Sequence, residues 1–259
     1  MKPRTYITIF IGVCFNATTG TPSFISIHEP TTFVLDKTAQ HDVLFLGTTH
    51  QQPRMLNFIS KLIPRLHESG ITHIGLEISS DQQENIDRFM NTGTGLSDIR
   101  LFAGIDCPEY RQVIEIVRKN RLTPVAMDSP KSMWGGSLTR DQWMAMRIAE
   151  TFQKNEKAKL FVIVGNLHTL KRVKWAVPAI KDQFIRYHLS LITPRLCLYS
   201  VAGSINDSPE TCDFQKWFGG ASTPIGIETR SFDRKLGLTR TISAKPMTAH
   251  EAVDAVIVF

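Results

Sequence analysis

Four short apolar runs, each closing on a glycine or an acid, constrain this chain more than any other feature. They read VLFLG just before His50, HIGLE ending at Glu77, PVAMD ending at Asp128 and LFVIVG just before His168. Apolar runs of this length predict buried strands. Between them the apolar residues recur with a helical period. Residues 54–69 place Met55, Ile59, Leu62, Ile63 and Leu66 on one side and stop at Gly70, with Pro64 expected to kink or break the helix. Residues 81–91 carry Ile86, Phe89 and Met90, and residues 108–119 open on Pro108 and carry Val113, Ile114 and Val117. Residues 139–154 open on TRDQ, a Thr and a Gln at capping-box spacing.

Strands alternating with helices predict an α/β fold of three layers, a mainly parallel central sheet flanked by helices. In such sheets the functional site lies at the carboxyl ends of the strands, where the connecting loops gather. RLCLYSVAG predicts a further strand and AVDAVIVF a last one, while residues 203–224, rich in Gly, Ser, Asp and Pro, predict a surface loop. Nothing resembles a linker, so residues 23–259 are expected to form a single domain. Residues 1–22 have the three-part outline of a secretory signal: Lys2 and Arg4, then ITIFIGVCF, then small polar residues. The same stretch also reads as a first strand; export is the expectation over a cytoplasmic location.

No stretch approaches the roughly 18 apolar residues of a membrane span, so none is expected. The net charge is +6 and the pI about 9.2, yet Lys and Arg are scattered, densest at Lys171, Arg172 and Lys174 beside Trp175. That group reads as a solvated helix face, and no nucleic-acid partner is expected. Cys14, Cys107, Cys197 and Cys212 lie far apart without a CxxC pair, so no zinc knuckle or dithiol site is signalled. No G-x-S-x-G elbow is present either.

What stands out is a device used twice: an apolar run, a glycine, two residues, then His50 in one copy and His168 in the other. The glycine lets the backbone turn sharply, and the histidine then projects from the loop at the sheet's carboxyl edge. Glu77 at the end of an apolar strand needs a cleft or a partner, because an unpaired buried carboxylate is costly. Two imidazoles and a carboxylate make a first shell for Zn²⁺ or Mn²⁺ from His50, Glu77 and His168, which would lower the pKa of a bound water. A metal-free version is equally available: one histidine acts as general base, oriented by Glu77 or Asp141, while Arg140 stabilises the oxyanion. Either version describes hydrolysis of an ester or amide in a small-molecule or peptide substrate.

With these residues in hand, the chain resembles the superfamily that groups ChaN-like haem-uptake proteins, erythromycin esterases, and the Tiki and TraB proteins. LGTTH, GLEISSDQQENIDRFM, PEYRQVIEIVRKNRLTPVAMDSP, RDQWMAM and VGNLH follow one another in the superfamily's order, with the layout most like the ChaN branch. Thr48 follows the first glycine as in Tiki and TraB proteins, where ChaN and esterase relatives carry Glu. The resemblance implies an α/β fold with its site at the sheet's carboxyl edge. It also implies two activities: metal-dependent hydrolysis through His50 and Glu77, or haem or iron handling without turnover. For the haem alternative, Tyr110 and His168 are the residues to test.

Overall fold

The computed structural model describes residues 26–171, 184–205, 212–218, 224–231 and 247–259. Residues 1–22 and Arg172 to Trp175 of the basic group lie outside them. The strands are β1 (Ile27–His28), β2 (Val43–Thr48), β3 (His73–Ser79), β4 (Thr123–Asp128), β5 (Leu160–Gly165), β6 (Leu198–Ser204), β7 (Ile225–Glu228) and β8 (Ala255–Val258). They form one sheet in the order β1-β7-β8-β6-β2-β5-β3-β4. Pairing is parallel from β8 through β4, and β7 joins β8 and β1 antiparallel.

The period of two along each strand sends alternate residues to opposite faces. On one face Leu44, Leu46, Phe161 and Ile163 meet Met55, Ile59 and Leu62 of α2 (Pro53–Glu68) and Val113 and Ile114 of α4 (Pro108–Lys119). On the other, Val43, Phe45 and Val162 meet Met144, Ile148 and Phe152 of α5 (Arg140–Lys154) and Ile185 and Leu189 of α6 (Ile185–Ile192). The three layers expected from the sequence are these. Each large side chain buried in them contributes about 1.5–3 kcal/mol.

Two local expectations fail. Helix α2 runs unbroken through Pro64. Ile59, Leu62, Ile63 and Leu66 on its inner face are all 1% exposed or less, and their burial outweighs the roughly 3 kcal/mol that an interior proline costs. Within the stretch read as a surface loop, Cys212–Phe218 is a helix, α7, after β6 has run on to Ser204. Phe214 is fully buried there against Ala202, Ile227 and Val256. Phe214 and Phe218 stand one helical turn apart, a weak signal among the surrounding Gly, Ser and Pro.

The crossovers locate the crevice. After β2 the chain passes to α2 on one face; after β5 it leads to α6 on the other. The two strands are neighbours, with Thr48 opposite Gly165, so their carboxyl ends flank a topological switch point.

Candidate functional site

Both histidines of the repeated device lie at this switch point. His50, two residues past β2, is exposed and meets Phe102 edge-on, with ring centroids 5.5 Å apart. His168 sits in the single 3-10 turn Asn166–Thr169 that follows β5. A Cβ on Gly165 would stand 3.2 Å from His50 Cε1 and 3.6 Å from His168 Cδ2. The two imidazoles therefore crowd the same glycine, and any side chain there would push them apart.

Glu77 reaches the same point from β3. Between Leu76, which faces Ala126, and Ser79, which faces Asp128, the β3–β4 register slips by one residue. Such a bulge re-aims a side chain, here that of Glu77, which is 1% exposed. Its Oε2 accepts from the Gly165 backbone N–H at 2.6 Å and its Oε1 accepts from Arg140 Nη2 at 2.6 Å.

Arg140 is the first residue of α5. The predicted capping box forms: the Gln142 N–H donates to the Thr139 hydroxyl, and the Thr139 N–H donates to the Gln142 side chain. This fixes the helix start and hence where Arg140 and Asp141 project. Arg140 Nε and Nη2 donate to the two oxygens of Asp128 at 2.6 and 2.8 Å, a bidentate clamp. Nη1 lies 3.3 Å from His168 Nε2, and the guanidinium stands over the Phe102 ring, 5.8 Å from its centroid. Burial opposes its charge, but Asp128 and Glu77 more than compensate and raise its pKa. Among the described residues, Asp128 and Glu77 take three of its five N–H groups and a neutral His168 accepting at Nε2 takes a fourth, leaving one on Nη1.

Asp141, the next residue, faces the other side of His168. Its Oδ1 is 2.8 Å from His168 Nδ1, and its Oδ2 accepts from the Ile185 N–H at 3.1 Å, tying α6 to the site. Burial alone would depress the His168 pKa, but the Asp141 carboxylate outweighs it and the pKa rises. A neutral His168 with its proton on Nδ1 offers Nε2 to Arg140, while Nδ1 makes a close polar contact with Asp141 whose alignment falls short of a hydrogen bond. A protonated ring turns Nε2–H toward Glu77 Oε1, 3.6 Å away.

His50, Glu77, His168, Arg140 and Asp141 are thus brought together. Glu77 uses both oxygens on Arg140 and Gly165, and the Arg140 guanidinium already supplies the positive charge between Glu77, Asp128 and His168. Among the described residues, no three His, Cys, Asp or Glu are arranged to hold a metal ion. Tyr110 is not in the cleft: it lies in the core on α4, 3% exposed. Burial, and then the negative charge of Glu77, push its phenol pKa well up. The phenol expected as a haem ligand thus stands in the core, its ring serving the apolar face of α4.

Two participants escaped the sequence reading. Asp128, in the sequence no more than the acid closing PVAMD, accepts from the Ser129 N–H at 2.8 Å and also grips Arg140. Phe102 lies in a loop without periodicity, where the one cue is a large apolar residue among turn formers. With Asp128 of the cluster it lines a cleft of about 920 Å³, whose other walls include Asp81, Arg100, Lys131 and Trp134. Trp134 is 68% exposed there.

Fold and site together define a class, a mainly parallel α/β sheet with an acid, imidazole and guanidinium cluster at its switch point. Residues 34–136 match the family described as Haem-binding uptake, Tiki superfamily, ChaN. An erythromycin esterase, EreC, in its open conformation superposes with a TM-score of 0.64 at 13% identity, over 88% of this chain and 92% of that one. ChaN of Campylobacter jejuni, described with cofacial haem binding, gives 0.50 at 12% identity over 68% and 87%. The type III effector HopBA1 gives 0.53 at 9% identity over 88% and 92%. No curated protein matches the sequence. The superfamily these comparisons return is the one that the ordered motifs resemble.

Proposed function

We propose that the protein hydrolyses an ester or amide bond by activating water at His50, with Arg140 in place of a metal as the local cation. The observation that carries this reading is the approach of His50 and His168 to the same glycine, beside a guanidinium that among the described residues retains one uncommitted N–H. His50 is the exposed imidazole, so water and substrate reach it directly. It takes a proton from water as the oxygen attacks the carbonyl carbon, and returns that proton to the leaving alcohol or amine as the C–O or C–N bond breaks. The free Nη1 hydrogen of Arg140 meets the oxyanion, and the clamp by Asp128 and Glu77 holds that donor in place beforehand. His168 and Asp141 keep Arg140 and Glu77 in register.

A panel of activated aryl esters and anilides, assayed with wild-type protein and Arg140→Gln, tests this. Wild-type turnover that drops by about 10²–10³ in the variant is expected; no turnover of any member by the wild type rejects it.

One observation favours a second reading, haem held without turnover: exposed His50 meets edge-on the ring of Phe102, which itself lines an open cleft together with Trp134, and ChaN is among the similar structures. Here His50, rather than Tyr110, is the ligand. Haem titration followed at the Soret band separates the readings, since a tight shift lost in His50→Ala supports haem binding.

A further inference from the structure

The two residues between glycine and histidine in each copy of the repeated device differ: Thr48 and Thr49 in the first, Asn166 and Leu167 in the second. They meet. Strands β2 and β6 pair up to Leu46 opposite Val201, yet β6 continues to Ser204. The Asn166 side chain takes over where β2 leaves off. Its Oδ1 accepts from the Gly203 N–H at 2.9 Å and its Nδ2 donates to the Gly203 carbonyl at 2.8 Å, as a neighbouring strand would. The remaining Nδ2 hydrogen goes to Thr49 Oγ1 at 3.3 Å, the residue before His50.

The packing around this amide leaves little slack. Asn166 is 6% exposed, and a Cβ on Gly47 would stand 2.3 Å from its Oδ1. Glycine at 47 is thus required for the amide to enter at all. Thr169 Oγ1 donates to the Asn166 carbonyl at 2.7 Å, closing the turn that carries His168.

We propose that Asn166 is a positioning residue that couples the two histidines: its amide docks the His168 turn on β6 and, through Thr49, fixes the loop that carries His50. The device is repeated so that its two copies can lock to each other. Movement of one imidazole-bearing segment is then passed to the other through the Asn166–Thr49 hydrogen bond.

Thr49→Val keeps the side-chain shape and removes the acceptor; Thr49→Ser restores it. The readout is the ring C–H resonances of His168, assigned with His168→Gln, in the folded protein. They are expected to move in Thr49→Val and to return to wild-type positions in Thr49→Ser. The kinetic arm rests on the hydrolytic reading: kcat falls about three- to tenfold with KM unchanged, the share expected of one hydrogen bond. Unmoved His168 resonances in Thr49→Val overturn the proposal whatever the rate does. Moved resonances with unchanged kcat support it and count against the hydrolytic reading instead. If Thr49→Val fails to fold, Thr49→Ala makes the same deletion without a methyl to seat.

Discussion

The two histidines come from the same local pattern and end in opposite surroundings. His50 is exposed, with Phe102 against its ring. His168, with 14% of its side chain accessible, is enclosed by Asp141, Arg140 and Glu77. The difference traces to the segment that leaves each strand. After β2 the chain steps outward into α2, so the first histidine stays at the rim. After β5 it folds into a tight turn held by Asn166, so the second is pressed against the first turn of α5. An imidazole free to meet water suits proton transfer with a substrate; one held by a carboxylate and a guanidinium suits the ordering of its neighbours.

Substitutions that separate the two histidines sharpen this contrast. His50→Ala is expected to lower the hydrolytic rate about 10²- to 10⁴-fold while moving stability by less than about 0.5 kcal/mol, because nothing buried loses a partner. Matched rate assays and denaturant titrations would break the contrast if stability fell and the rate held. Arg140→Ala strips the counter-ion from Glu77 and Asp128, which are 1% and 8% exposed. A loss of about 3 kcal/mol is expected, the low end for a broken buried pair because the Arg140 side chain is 40% accessible; urea unfolding measures it.

Asp141→Asn has a smaller effect, and its sign depends on pH. The His168 pKa lies above its ordinary 6.5, so the protonated ring favours the folded state. That contribution is complete below 6.5 and is lost as pH rises through the raised folded value. In Asp141→Asn the burial effect prevails and the pKa falls. The variant should then lose about 1.5–3 kcal/mol on the acid side and approach wild type on the alkaline side. Melting temperature followed across pH checks this, and a loss uniform in pH would speak against the Asp141–His168 pair. Smallest is Gly165→Ala: the added methyl displaces the His50 ring by a few tenths of an ångström, for a rate loss of about two- to fivefold with His168 resonances little changed.

Much of this was legible in the sequence because strand ends announce themselves. The glycine after VLFL and LFVIV marks where each strand stops, and Glu77 in an apolar run marks a carboxylate in need of a partner. The capping spacing of Thr139 and Gln142 fixed the start of α5, and so the placement of Arg140 and Asp141. Other features depend on contacts between distant segments. That Arg140 bridges Glu77 and Asp128 results from the two carboxylates converging on it across two strands, and the bulge at Glu77 leaves no mark in the local pattern. Tyr110 sits in a helix whose apolar side was read correctly as Val113, Ile114 and Val117. The same periodicity puts its ring among them.

The most direct test of the account is the ester-hydrolysis rate of the wild-type protein after exhaustive chelation, measured beside the untreated protein. Arg140 as the resident cation predicts equal rates and no gain on adding Zn²⁺ or Mn²⁺. A rate that collapses on chelation and returns with either metal would contradict it.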